Sequence, residues 1–572
     1  MRFEIEWPLS GAGNAFTFVS RIKKWLKRIF AVTLLLVVAG GLVIYFAVRS
    51  SIATPPPLPK DVSILQLKPE AHDGKLFLGK SWRDEREGLP VVCLKGSPLE
   101  MGFADGVLME DKMHTLEREF QAMLKTYVPR QWVKETVKAY IFWRNRHLSD
   151  FIAEDYRLEL YGTTLGCMDI NPTEGNFYNR LLNYHAAHDI SYLMIDNPFL
   201  ARSAGCTAFG AWGNATGNGH LITGRNFDWE AAEVFNRDRV VEMFEPDNGI
   251  PFISLSWAGM AGVLSGMNRA GVSVTINGAP SKLPDATATP VAMVARDVLQ
   301  HAHNLDEALK IMRAAKVFVS SIWLVGSRAD GKFIVVEKTP DVTNVREANG
   351  DAIVCPNHFE TDGLKLMAQN TNYLAEATSL AREQRLAELL KLNAGAVDVA
   401  HSVEFLRDRK LPGGVFVGDG HRGSLNAFIA THAVVMDLTA GIFWAAAPPH
   451  GLGKFVAFDV NDFNRELPEL TIPADEVLAS GEFERVKQSR KILDDGQRAL
   501  KNNDETTALD LAKKAAALNP GFYENFILEG RALLALGKKS EAAKAFESAL
   551  AAKPAFLSER QDVEELLRQA KR

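Results

Sequence analysis

Residues 202–230 read R-S-A-G-C-T-A-F-G-A-W-G-N-A-T-G-N-G-H-L-I-T-G-R-N-F-D-W-E. The stretch predicts a β-hairpin. Cys206 to Trp212 is apolar and strand-like, Asn218-Gly219 suits a tight turn, and His220 to Trp229 can return antiparallel. With a two-residue loop at Asn218-Gly219, positions whose numbers sum to 437 pair. Arg225 then lies opposite Trp212, on the face that carries Cys206. A cation on that face lowers a thiol pKa or holds an acidic substrate group. Asp228 falls on the other face under strict alternation and needs a bulge to reach Cys206. A lone cysteine is more often a small buried hydrophobe than a nucleophile, so its neighbourhood has to decide.

Outward from this hairpin, Cys206 to about Val460 consists of short β-rich runs separated by Gly and Asn. Ser321 to Glu337 reads as a second hairpin turning at Asp330-Gly331. Helical patterns interrupt at Pro290 to Ala315, with Asn304-Leu-Asp-Glu as a start signal, and at Ala375 to Leu392. Upstream, Val91 to Gly106 looks like a strand, a turn and the start of a helix, and amphipathic helices follow to about Leu160 with a break at Pro129. Strands in groups and helices in groups predict an α+β fold in which helix layers cover sheets.

The chain of 572 residues exceeds one core. Its net charge of −5, without a basic stripe in the main body, argues against nucleic-acid binding. Arg21 to Arg28 carries five positive charges and runs into twenty uncharged residues, Ile29 to Val48. At ~1.5 Å per residue that run spans about 30 Å, enough to cross a bilayer. The basic flank predicts a single-pass membrane protein with a cytoplasmic N-terminus and an extracytoplasmic body. A cleaved signal peptide, with small residues at Ser51-Ile-Ala53, is the alternative. The expected organisation is a basic segment (1–28), an anchor (29–48) and a Pro-rich linker (49–60). A catalytic domain follows in two segments, 61–205 and 206–475, and then a helical tail, 476–572.

In the tail, Pro520 and Pro554 stand 34 residues apart in similar contexts, a period that resembles the tetratricopeptide repeat over roughly 508–556. A plain helical cap is the alternative. A repeat of that kind could dock a protein partner.

Cys93, Cys167, Cys206 and Cys355 form neither a CxxC nor a Cys/His group at zinc spacing, so no metal site or cofactor is expected. Gly74 to Ser81 matches GxxxxGKS, but lacks the preceding buried strand and following helix that hold phosphates. HExxH, GxSxG and EF-hand patterns do not occur.

Gly205-Cys206-Thr207 followed by Gly224-Arg225-Asn226-Phe227-Asp228-Trp229 resembles the acyl-CoA:6-aminopenicillanate acyltransferase-like group of N-terminal-nucleophile (Ntn) hydrolases. That group is related to choloylglycine hydrolases and acylethanolamine amidases. Leu94 to Gly106, Gly266 to Pro280, Pro356 to Phe359 and Ser379 to Leu390 extend the resemblance over roughly 91–460. It implies an αββα sandwich and self-cleavage between Gly205 and Cys206. The freed α-amine of Cys206, with a pKa near 8, would serve as the base for its own thiol. By resemblance, Asp228 orients that amine and Arg225 positions substrate or tunes the thiolate. Asn277 matches an oxyanion-hole residue, Asn357 a second asparagine near the amine, and Arg382 a later, substrate-binding arginine. For the two asparagines a turn role, and for Arg382 a solvated helix charge, are the plain alternatives.

The implied activity is hydrolysis or acyl transfer at small-molecule N-acyl amides through a thioester on Cys206, without a cofactor. An envelope scaffold with an inactive body and a partner-binding tail is one alternative. A lipid or ester hydrolase using the same thiol is another.

Overall fold

The computed structural model describes residues 52–186, 189, 204–230, 232–282 and 287–572, with 25, 35 and 49 alone before them. The apolar run 29–48 lies outside the described residues except at Leu35. Among the described residues no helix is long and apolar enough to cross a membrane.

Among the described residues, seventeen strands form two sheets. Before the Cys206 hairpin come β1 (Glu70–His72), β2 (Lys75–Leu78), β3 (Ser81–Arg86) and β4 (Leu89–Gly96). The hairpin is β5 (Ala204–Gly213) and β6 (Gly219–Trp229). There follow β7 (Arg239–Pro246), β8 (Phe252–Trp257), β9 (Ser265–Asn268) and β10 (Val272–Gly278). The chain continues through β11 (Ser321–Ser327), β12 (Lys332–Lys338), β13 (Thr343–Glu347) and β14 (Ala352–Cys355). The last three are β15 (Ala430–Asp437), β16 (Ile442–Ala446) and β17 (Phe455–Asp459). The larger sheet runs in the order 1-2-3-4-7-8-9-10-11-12-13, the smaller 14-5-6-15-16-17.

The two sheets face each other across one apolar layer: Val241, Met243, Leu255 and Leu324 from the larger, Ala208, Val434, Met436 and Phe443 from the smaller. Outside the larger sheet lie α1 (Pro98–Leu108), α2 (Glu110–Tyr127) with α3 (Gln131–Arg144) against it, α4 (Glu154–Gly166), α5 (Phe177–His185), α6 (Val291–His301) and α7 (Leu305–Ala314). Outside the smaller lie α8 (Ser379–Leu392) and α9 (Val399–Leu406). The layers stack as helix, sheet, sheet, helix.

Local chemistry sets several of these elements. Ser97 caps α1 in a capping box with Glu100, and Asn304 caps α7 by accepting from Glu307 N–H. The expected helical spans divide: 290–315 breaks ahead of Asn304, and a separate helix, Ala368–Glu376, precedes α8. α1 and α4 meet backbone to backbone because Gly102, Gly106, Gly162 and Gly166 line their contact. A Cβ on Gly102 would stand 1.8 Å from the Glu159 carbonyl oxygen. Gly74 to Ser81 forms the β2 strand and its turn into β3, which is no phosphate-binding loop.

β4 pairs in parallel with β7. The segment before Cys206 and the segment after it therefore share one sheet, and a cut between Gly205 and Cys206 leaves that pairing intact.

The tail is α10 (Glu482–Lys501), α11 (Glu505–Leu518), α12 (Tyr523–Ala535), α13 (Lys539–Ala551) and α14 (Leu557–Lys571), each packing on the next around Ala508, Ala512, Leu528, Phe546 and Ala549. It is seated on the body. Asn519 and Asp419 exchange buried hydrogen bonds at 2.9 and 3.0 Å, and His421 Nε2 lies 2.7 Å from the Lys553 carbonyl oxygen.

Candidate active site

The β5–β6 hairpin forms, with a different register from the one its turn signal predicts. Cys206 pairs with Phe227, Ala208 with Arg225 and Ala211 with Ile222, so paired numbers sum to 433. The connection is longer than Asn218-Gly219 because Asp351 binds it from outside: Asp351 Oδ2 accepts from Asn214 N–H at 2.8 Å, and its carbonyl from Trp212 N–H. Thr216 Oγ donates to the Gly213 and His220 carbonyls within the turn. The slip is an even number of positions, so facing is unchanged. Arg225 remains on the Cys206 face, and Asp228, opposite Gly205, on the other.

On the inner face, Cys206 is buried and its Sγ lies 3.7 Å from Arg225 Nη2. Arg225 has no exposed surface. Its Nη1 donates to Ser265 Oγ at 2.5 Å and to the Leu264 carbonyl, its Nη2 to the Ile276 carbonyl, and its Nε to Asn277 Oδ1. The guanidinium also lies over the Phe227 ring, 4.8 Å from its centroid. The larger sheet thus holds a fixed cation beside the thiol.

On the outer face, Asn357 Oδ1 accepts from Cys206 N–H at 2.7 Å and from Arg382 Nη2 at 2.9 Å. Arg382, from the first turn of α8, also donates Nη1 to Thr207 Oγ at 2.5 Å and to the Cys206 carbonyl. It is 3% exposed, so it is no solvated helix charge. A Cβ on Gly205 would lie 3.2 Å from Arg382 Nη2 and 3.7 Å from Asp228 Oδ2. Burial pushes the Asp228 carboxyl up to about 6 against the opposing pull of Arg382, Arg422 and Arg225. Asp228 Oδ1 has no hydrogen-bond partner among the described residues.

Asn357 is held in turn. Its Nδ2 donates to the Gly278 carbonyl, and its backbone N–H to Ser379 Oγ at 2.9 Å. Ser379 Oγ lies 2.9 Å from His358 Nδ1, and His358 Nε2 lies 3.3 Å from Glu383 Oε2. This support was missed from sequence. Its one signal was the placing of His358 directly after Asn357. Asn277 stands at the end of β10 with its Nδ2 donating to the Cys355 and Pro356 carbonyls, at 2.7 and 3.2 Å. Its amide hydrogens are therefore engaged here, and its Oδ1 serves Arg225.

An apolar cavity of about 140 Å³ opens on the Cys206 face. Phe227, directly across from Cys206, lines it together with Trp257, Leu264, Met113, Leu116 and Phe120. His432 pairs with Phe227 from β15 and packs at a tilt against Trp257, with both ring nitrogens unpartnered among the described residues, and burial holds it neutral. For a metal, His358, Glu360 and Glu383 converge within 4.8 Å, but Arg346 and His358 already pair those carboxylates.

A family model described as acyl-coenzyme A:6-aminopenicillanic acid acyl-transferase matches residues 214–416. An uncharacterised protein of Archaeoglobus fulgidus is 24% identical over 404 residues, 63% of this chain and 64% of its own length. The N-acylethanolamine-hydrolyzing acid amidase of Caenorhabditis elegans is 21% identical over 39% of this chain and 62% of that protein. The chain thus spans under two thirds of the length of either relative. A crystal structure of a mutant conjugated bile acid hydrolase from Clostridium perfringens aligns at 16% identity and a TM-score of 0.31, covering 46% of this chain and 95% of that one.

Proposed function

We propose that this chain is a self-cleaving cysteine amidase of the Ntn type that hydrolyses N-acyl amides with apolar acyl groups. One observation carries the reading. The backbone nitrogen of Cys206 is gripped from one side by Asn357, while its thiol meets Arg225 on the other, the side on which its strand partner Phe227 lines an apolar cavity. Any buried N–H needs an acceptor, but this one is a side-chain amide oxygen held by Arg382, which stays in place if the peptide nitrogen becomes a free amine. A nucleophile that also supplies its α-amine needs a partner of that kind.

In maturation, Cys206 Sγ attacks the Gly205 carbonyl carbon. The Gly205–Cys206 C–N bond breaks, nitrogen takes the thiol proton, and water hydrolyses the thioester. Gly205 suits this step because it presents no Cβ to Arg382 and Asp228. In turnover, the α-amine takes the thiol proton and Sγ attacks the substrate carbonyl. The resulting ammonium protonates the leaving amine, and water then releases the acid. Asn357 and Arg382 hold the amine end, Asp228 balances the ammonium charge, and Arg225 stabilises the thiolate. Water is the acceptor favoured over a second amine, since the basic segment 21–28 ahead of 29–48 points to an anchored enzyme with its body outside the cytoplasm, where acyl-CoA is scarce. The family match and the amidase relative support the chemistry at this coarser level.

The test is intact mass and N-terminal sequence of the purified chain beside Cys206→Ala, followed by acid release from N-acyl amides of graded chain length. Two fragments meeting at Gly205/Cys206, absent in the mutant, are expected, with turnover rising with acyl length. A single uncut chain in both proteins sinks the reading.

A further inference from the structure

A second cluster of reactive side chains lies away from Cys206, where α2 begins and α4 ends. Glu110 and His114 stand one turn apart on α2, which sets both on one helix face. Cys167 directly follows α4. His114 Nε2 lies 3.6 Å from Cys167 Sγ, 2.8 Å from the Met168 carbonyl oxygen and 3.9 Å from Glu110 Oε1. Cys167 Sγ is 3.7 Å from the same Met168 oxygen, and Glu110 Oε1 accepts from Met168 N–H at 3.0 Å. The Cys167 sulfur, the His114 imidazole nitrogen and a Glu110 carboxylate oxygen therefore lie within 4.8 Å of one another, with the imidazole hydrogen-bonded to the Met168 carbonyl.

The spacing fits a small cation. With tetrahedral angles, ~2.3 Å to sulfur and ~2.1 Å to nitrogen, the sulfur–nitrogen edge is about 3.6 Å. The site is graded in depth, with the thiol 5% exposed at its floor, the imidazole 14%, and the carboxylate 42% at its mouth, which leaves an access route. The field around the thiol is negative. The carboxylates of Glu110, Asp105, Glu117 and Asp169 all act on it, and a dication is what these charges favour. Arg180 answers Glu117 and Asp169.

We propose that Glu110, His114 and Cys167 bind a divalent cation of borderline softness, zinc foremost, with solvent completing the shell. On binding, the Cys167 S–H bond breaks, its proton goes to solvent, and sulfur bonds the ion as thiolate. His114 binds through the Nε2 lone pair with its proton on Nδ1. The ion ties α2 to the turn after α4. Met113, Leu116 and Phe120 on that same α2 line the cavity beside Cys206, so the ion braces one of its walls.

The metal-stripped full chain, in detergent and phosphine reductant, is titrated with Zn²⁺ and separately with Co²⁺. One equivalent of either is expected, competing for one site, with thiolate-to-cobalt charge-transfer absorption in the near ultraviolet. Cys167→Ser removes that band and Cys206→Ala keeps it. Glu110→Gln, at a half-exposed position that the fold tolerates, weakens Zn²⁺ binding at least about tenfold, and decides the matter if Cys167→Ser fails to fold. A metal-free wild type, a band that survives Cys167→Ser, or wild-type affinity in Glu110→Gln overturns the proposal.

Discussion

On the face of the β5–β6 hairpin that meets the larger sheet stand Cys206, Ala208, Arg225 and Phe227. On the face that meets α8 stand Gly205, Thr207 and Asp228, under Arg382. The first set is a thiol, a fixed cation and the edge of an apolar cavity. The second is a network of backbone nitrogen, amide, guanidinium and buried carboxyl. Two arginines serve one cysteine from opposite sides of the same strand, one toward sulfur and one toward the main chain. The comparison teaches that pleating can sort the parts of one residue: the side chain is handled between the sheets, the amine end beneath the helix layer.

The largest effect expected is from Cys206→Ala, which takes away both functions at once: no fragments by mass spectrometry and no acid released. Turnover without cleavage in the wild type would break the division, because the amine-side face would then serve nothing. Asn357→Ala comes next. It removes the acceptor of Cys206 N–H and leaves Arg382 Nη2 without that partner, at an expected cost of about 10³-fold in kcat, within the usual range for a positioned base. The cavity face is untouched, so KM for the amide should stay within about threefold of wild type. A KM that rises in parallel with the loss of kcat would merge the two faces into one.

Asp228→Asn separates them by stability. The folded-state value near 6 lies above the ordinary 3.8, so the folded chain binds its proton more tightly than the unfolded chain. Stability therefore falls as pH rises from about 4 to 6 and is lowest above 6, by about 3 kcal/mol at most. In the uncut Cys206→Ala background, Asp228→Asn should raise the thermal midpoint at pH 7 and leave it unchanged near pH 4, read by calorimetry. An equal shift at both pH values would remove the buried charge from the account.

The division of faces was legible from residue numbers because strand alternation survives an even slip, which is why Arg225 is found beside Cys206 although its partner is Ala208 and not Trp212. Register was not legible. The turn length depends on Asp351, which is 137 positions downstream of Asn214 and bound by tertiary contact alone. Asn357 and Arg382 could be singled out only through resemblance, since an asparagine in P-N-H-F and an arginine in S-L-A-R carry no sign of where they meet. Ser379 and Glu383 gave no signal, because their importance is a chain of contacts through His358. The metal ligands escaped a spacing search because His114 and Cys167 stand 53 residues apart and meet only when α2 packs against the end of α4.

The smallest effect sharpens the comparison most, because it alters one face without touching a hydrogen bond. Leu116 lines the cavity from α2, on the wall across from the hairpin, and is half-buried, so a larger ring there fills space without displacing Cys206, Arg225 or Asn357. Leu116→Trp should lower kcat/KM about tenfold for long-chain N-acyl amides and leave short-chain amides unchanged, the range that a few methylenes command in an apolar pocket. Self-cleavage should run at the wild-type rate, since its acyl group is Gly205, which never enters the cavity. A uniform loss across chain lengths would mean that the ring disturbs Cys206 itself. A loss confined to long chains would make the cavity the acyl site and leave the α8 face with the amine.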